Sequence, residues 1–270
     1  MTARQQLRRA GRIAAFGALT SEMLPAFLAH ERLAPAADRD RVRERWVAAW
    51  CGGLLRLFGV HVLTRRQVSG SAGAWSSPGS AVPPPGRGHL VVANHRSTAD
   101  ILVLLRAFGG HMVSRADLAR WPLVGVAARA VGTVFVDRSD AVSGANAVRA
   151  IRDRLAEGHT VIVFPEGTTF PGDTVRPFHA GAFVAALRSG ADIIPVGLAY
   201  GTGSGAAFVN ESFPAHLARM AAASPSEVVM SVGEPITIRE KARAAQLRDR
   251  AHAEVQRMVH EARKMVDGGG

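Results

Sequence analysis

Apolar positions fall into two regimes along the 270 residues. In the first sixty they recur at helical spacing. An apolar run from Ile13 to Ala29 follows Arg4, Arg8, Arg9 and Arg12, and is interrupted by Glu22 and Pro25. A second stretch, Asp40–Phe58, carries Val42, Trp46, Trp50 and Leu54 at intervals of four, with Arg39, Arg41, Arg43, Arg45 and Arg56 on its flanks. Both read as amphipathic helices. Residues 69–88 are rich in Gly, Ser and Pro and read as a flexible loop. Beyond them the regime changes to short apolar runs, at Leu90–Ala93, Thr133–Val136, Thr160–Phe164, Ile193–Ala199 and Glu227–Val232. Helical stretches at Ala141–Glu157 and Gly181–Ser189 lie between them. Strands alternating with helices predict an α/β fold: a mixed, largely parallel sheet flanked by helices, preceded by an N-terminal pair of amphipathic membrane-facing helices. The expected division is 1–68 for those helices, 69–88 for the loop, 89–238 for the sheet domain and 239–270 for a C-terminal helix and tail. The last helix, Arg239–Met265, is charged enough to predict a solvated flank.

Composition narrows the picture. The formal charge of +11 favours an anionic partner, either nucleic acid or an acidic membrane surface. Aromatics make up only 6% with one tyrosine, so base-stacking platforms are poorly supplied and no nucleic-acid signature stands in the chain. A membrane surface is the expected partner. A clean spanning helix needs about 20 apolar residues. The interrupted Ile13–Ala29 run fits an interfacial or half-inserted helix better, its arginines among anionic headgroups, with a cap packed on the domain as the competing reading. The single cysteine, Cys51, excludes an internal disulfide and reads as a buried thiol.

Candidate chemistry stands at the ends of the apolar runs. After Ala93 comes Asn94-His95-Arg96-Ser97-Thr98-Ala99-Asp100. Five residues apart on a regular helix, His95 and Asp100 would diverge by about 140°. They can meet if His95 lies in a strand-to-helix loop and Asp100 in the first turn. A carboxylate there holds the imidazole in one tautomer and makes it a general base. Alternatively, Ser97 or Thr98 merely caps a helix in a surface loop. Phe164-Pro165-Glu166-Gly167-Thr168-Thr169 puts a carboxylate at another strand end, where open α/β sheets hold ligands. Glu166 there either contacts an acceptor, positions a basic residue or sits in a solvated turn. Gly132-Thr133-Val134-Phe135-Val136-Asp137-Arg138 ends a third strand. Arg138 is a candidate for an anionic head group, or one half of a surface pair. A metal centre on His95, Asp100 and Glu166 lacks further ligands at suitable spacing, since His111 and His179 do not supply it. No GxSxG elbow surrounds Ser97, Ser114 or Ser139.

Together these clusters resemble the glycerolipid acyltransferase family, whose bacterial prototype is 1-acylglycerol-3-phosphate acyltransferase. The likeness runs from about Gly88 to Ile236. It rests on NHxxxxD at Asn94, His95 and Asp100, and on GxxFxDR at Gly132, Phe135, Asp137 and Arg138. FPEGT at Phe164–Thr168 and the short block Ile194-Pro195-Val196 complete it. The resemblance implies that His95 deprotonates a lysolipid hydroxyl while Asp100 orients it. It implies acyl-CoA or acyl-carrier protein as donor, no metal or bound cofactor, and work at the cytoplasmic face of the cell membrane. It also implies substrate-binding roles for Asn94, Arg115, Arg138, Glu166, Gly167, Thr168, Thr169 and Arg176. Two departures stand out: Thr169 follows FPEGT where arginine is common, and Arg115 stands where lysine is common. Arg176 is a candidate for the missing cation. The FPEGTT form resembles a branch that includes lyso-ornithine lipid acyltransferases; the acceptor the resemblance implies first is lysophosphatidic acid, giving phosphatidic acid, with an amino-acid lysolipid as the alternative. A membrane-binding scaffold without turnover is the non-enzymatic alternative.

Overall fold

A computed structural model describes residues 2–66, 73–74, 88–121, 124–137, 140–208 and 210–268. Eight strands form one sheet: β1 (Val60–Arg66), β2 (Gly73–Ala74), β3 (His89–Ala93), β4 (His111–Arg115), β5 (Val134–Val136), β6 (Thr160–Val163), β7 (Asp192–Tyr200) and β8 (Ser226–Val232). Their order is β2-β1-β8-β7-β3-β6-β4-β5, and only the β1–β2 and β7–β8 pairings are antiparallel. The helices are α1 (Ala3–Leu33), α2 (Arg39–Phe58), α3 (Ala99–Phe108), α4 (Val124–Ala130), α5 (Ala141–Ala156), α6 (Gly181–Ser189), α7 (Phe213–Ala222) and α8 (Ala244–Gly268). β3 is buried along its whole length, as a central parallel strand covered on both faces must be.

Three expectations change. The first 68 residues are not helical throughout, because Val60–Arg66 form β1 and pair in parallel with β8. The expected 69–88 loop lies largely outside the described residues, save that Gly73–Ala74 pair with β1. The C-terminal helix is not a solvated flank. Leu247, Ala251, Val255, Met258, Val259 and Ala262 of α8 are buried, and the helix lies on β7 and β8. Its approach is close enough that a Cβ at Gly197 would stand 2.3 Å from the backbone carbon of Met258, so the strand needs glycine there.

α1 runs unbroken for 31 residues through Pro25, and is long and apolar enough to cross a membrane by length and composition. It is also built into the domain. Trp50 Nε1 of α2 donates to Thr20 Oγ1 of α1 at 3.1 Å. Arg8 and Arg12, expected among headgroups, instead donate to the Ala223 carbonyl at the end of α7, at 3.0 and 2.8 Å. Cations at a helix C-terminus are favourably placed against its dipole. The buried stripe of α2 keeps Val42 and Leu54 of the expected one and adds Val47, Cys51, Leu55 and Phe58, with Trp46 and Trp50 half-buried at its edge. Burial pushes the Cys51 thiol up to about 12, so the group is inert.

Between α1, α2, α3, α4 and α7 lies an apolar cavity of about 240 Å³. Phe16, Phe27, Trp50, Leu54, Leu102 and Trp121 are among its walls, and Thr98 and Ala99 at the start of α3 belong to it too.

Candidate active site

The parallel pairing of β3 with β6 and β7 sends all three strands to the same edge of the sheet, where the crevice of an open α/β sheet lies. The chain leaving β3 is Asn94–Thr98, that leaving β6 is Phe164–Thr169, and β7 finishes at Tyr200. Neighbouring strands are about 4.8 Å apart, so residues seventy to a hundred positions distant in sequence meet there.

His95 lies in the loop and Asp100 in the first turn of α3. Nδ1 of His95 is 2.9 Å from Oδ2 of Asp100. That carboxylate is fully buried, and its Oδ2 also accepts the backbone N–H of Arg96 at 2.6 Å and of Ser97 at 2.8 Å. Its Oδ1 accepts the hydroxyl of Tyr200. Four donors of this kind hold Asp100 in place, and its acceptor oxygen fixes a proton on Nδ1 of the imidazole. Nε2 is then the ring nitrogen able to take a proton. The ring is stacked on Phe164, centroids 3.9 Å apart and planes 8° from parallel, so its orientation is fixed on two sides. Burial first, and the Asp100 charge second, raise the Tyr200 hydroxyl well above its ordinary value, so it remains a donor.

Tyr200→Phe removes one donor to Asp100 and leaves the other three. We expect kcat to fall about tenfold with KM little changed, and stability to fall by about 1–2 kcal/mol. Steady-state kinetics and a thermal melt read the two effects; a rise in KM alone would give Tyr200 to the substrate instead.

Of the roles open to Glu166, the geometry matches the positioning of a basic residue. The Glu166 side chain is wholly buried, Oε1 accepting His95 N–H at 2.7 Å and Arg96 Nη1 at 2.8 Å, and Oε2 accepting Arg176 N–H at 2.8 Å. Arg96 further donates to the carbonyls of His95, Gly172 and Thr174. The buried pair therefore ties the β3 loop, the β6 loop and the 172–176 segment into one unit. Gly167 makes the turn after Glu166 at φ 86°, a conformation that other residues resist. Asn94 is likewise turned into the fold. Fully buried, it brackets Leu198 of β7, donating to the carbonyl at 2.9 Å and accepting the N–H at 2.7 Å, and so extends the β3–β7 pairing by one rung.

Thr168 is exposed beside this unit. Thr169 spends its hydroxyl on the Phe208 carbonyl, while Phe208 N–H donates to the Arg96 carbonyl at 2.8 Å. Arg176 is exposed, its guanidinium 4.5 Å over the Phe170 ring. Arg115 ends β4, two strands from β3 and thus roughly 10 Å away; it is exposed and paired with Asp117 at 3.0 and 3.1 Å. Arg138 lies outside the described residues. Sequence reasoning missed Arg96 and Tyr200. The one tyrosine of the chain, placed directly after an apolar strand, was a usable signal for the second.

Comparison with known proteins agrees with this geometry. The acyltransferase family model matches residues 78–199. The lyso-ornithine lipid O-acyltransferase of Pseudomonas aeruginosa is 32% identical over 215 residues, covering 76% of this chain and 75% of that protein. The 1-acyl-sn-glycerol-3-phosphate acyltransferase of Neisseria gonorrhoeae is also 32% identical, over 122 residues, covering 45% of this chain and 48% of that one. In fold, the crystal structure of the 1-acyl-sn-glycerophosphate acyltransferase of Thermotoga maritima superposes with a TM-score of 0.72. Its sequence identity is 21%, over 95% of this chain and 97% of that one.

Proposed function

The chain belongs to the acyltransferase family, and from that premise we propose that it moves a fatty acyl group from acyl-CoA or acyl-carrier protein to the free hydroxyl of a lysolipid. The observation that carries this reading is the His95–Asp100 pair beside an apolar cavity whose wall includes Thr98 and Ala99. The acyl chain lies in that cavity, whose walls are mostly apolar side chains. Nε2 of His95 takes the proton of the lysolipid hydroxyl, whose oxygen attacks the thioester carbonyl carbon. The C–S bond then breaks, and the thiolate leaves with the proton from the imidazolium. The N–H groups of His95, Arg96, Ser97 and Ala99 already donate to Glu166, Asp100 and Ser97, so within this loop the N–H of Thr98 is the candidate donor to the transient oxyanion. Glu166, Arg96 and Asn94 act as scaffold for the loop that holds the base.

The acceptor is either 1-acylglycerol-3-phosphate, giving phosphatidic acid, or a lyso-ornithine lipid. Arg176 supports the first, as an exposed cation beside the FPEGTT loop. Thr169 supports the second, because a hydroxyl bound to Phe208 offers an acceptor phosphate no charge, and the longer of the two sequence matches described above is to a lyso-ornithine enzyme. We favour the amino-acid lysolipid. The site of action is a membrane surface at its cytoplasmic face, where thioester carriers are found. Transfer of labelled acyl groups to each acceptor, in competition and from both carriers, tests the assignment. Lyso-ornithine lipid is expected to be acylated in preference. A preference for lysophosphatidic acid that vanishes with Arg176→Ala would reverse the choice, and labelling of neither from either carrier would overturn the lysolipid reading.

A further inference from the structure

A second constellation stands one helical turn from the first. His216 of α7 is fully buried, its Nε2 2.9 Å from Thr98 Oγ1 and its Nδ1 2.9 Å from Glu211 Oε1. The tautomer follows from counting protons. Arg219 Nη2 also lies 2.9 Å from Nδ1, but its two hydrogens go to the Ala207 carbonyl and to Glu211 Oε1. Nδ1 therefore carries its own proton and donates to Glu211, and Nε2 is bare and accepts the Thr98 hydroxyl proton. Burial lowers the His216 pKa below its ordinary value, which keeps the ring neutral. The Phe208 ring packs against it with centroids 4.5 Å apart. Thr98 is half-buried and differs from its partners in forming part of the apolar cavity wall. A hydroxyl, a neutral imidazole and a carboxylate in this sequence of hydrogen bonds form the arrangement that activates a nucleophilic side chain.

We propose that Thr98, His216 and Glu211 form a catalytic triad that gives the protein a second activity, hydrolysis of the acyl thioester when no lysolipid is present. This rests on the reading that the cavity receives the acyl chain of a thioester donor. Thr98 Oγ bonds to the carbonyl carbon while its proton passes to His216 Nε2. The C–S bond breaks and the thiolate leaves with that proton. Water then gives a proton to His216, its oxygen bonds to the same carbon, the C–Oγ bond breaks and Thr98 recovers its proton. The net change is thioester plus water to fatty acid plus thiol. Thr98 acts as nucleophile, His216 as base and acid, and Glu211 orients the ring.

The full chain is incubated with palmitoyl-CoA without acceptor, acid-quenched and digested with trypsin. The peptide Ser97–Arg106 is expected to carry one palmitoyl group on Thr98. In the His95→Ala background, thiol release is expected to fall about tenfold or more when Thr98→Val or His216→Gln is added, and to survive Thr98→Ser. An unacylated peptide from protein that still transfers acyl groups to lysolipid would overturn the triad and leave the transferase reading intact. So would equal thiol release with and without Thr98→Val at an unchanged melting temperature. Loss of transfer and of thiol release together in the wild type would remove the thioester donor, and this inference with it.

Discussion

His95→Ala is expected to cut acyl transfer by about 10²–10⁴-fold while the protein stays folded, because a general base contributes on that order. The argument is geometric. Asp100 accepts two backbone N–H groups and the Tyr200 hydroxyl besides the imidazole, so it remains anchored without His95. The His95 backbone N–H also keeps its bond to Glu166 in the variant, since that contact does not involve the ring. The loss is confined to the proton acceptor and to one face of the Phe164 stack. Initial rates of labelled acyl transfer beside a thermal melt separate the two effects. Turnover equal to wild type would end the assignment of His95 as base. A matching collapse of the melting temperature would make the ring structural.

The second large effect concerns stability. Glu166→Gln changes one atom, yet the two carboxylate oxygens both accept: Oε1 from His95 N–H and Arg96, Oε2 from Arg176 N–H. An amide has one acceptor and one donor, so either orientation sets N–H against N–H in a site closed to water, and the Arg96 charge loses its partner. Breaking a buried ion pair this way costs about 3–5 kcal/mol, which corresponds to a fall in melting temperature of roughly 6–20 °C in a chain of this size. Differential scanning calorimetry measures it directly. If Glu166→Gln melts like wild type and only the KM for the lysolipid rises, the carboxylate belongs to the substrate after all.

The contrast between these two residues shows what a sequence can disclose. His95 and Asp100 were readable because they sit within one loop, where spacing limits how they meet. Glu166 stood out as clearly, but its task depends on Arg96, seventy residues earlier, and that arginine looked like a variable letter inside a motif. Tyr200 and Phe208 reach the site only because β7 lies beside β3, and no local pattern reports strand order. The same division holds for the fold. β3, β6 and β7 were visible as unbroken apolar runs because they are buried on both faces. β1 alternates, with His61, Thr64 and Arg65 among its residues, and β4 mixes His111 and Ser114 with its apolar positions, so neither run is continuous. α8 concealed its buried stripe differently. Ala251 and Ala262 add little hydrophobic signal, and the charged residues of the helix, Arg248, Glu254, Arg257, Glu261 and Arg263 among them, dominate the reading.

The grip of Arg8 and Arg12 on the end of α7 has one more consequence. A membrane anchor is ordinarily a modular part, exchangeable for any greasy segment that keeps an enzyme near its lipids. Here the same helix supplies Phe16 and Phe27 to the cavity and, through α7, lies one helix away from the Thr98–His216 contact. A chimera carrying a foreign helix in its place would lack one side of that cavity. In this protein the candidate membrane helix and a wall of the cavity are one stretch of chain and cannot be exchanged separately.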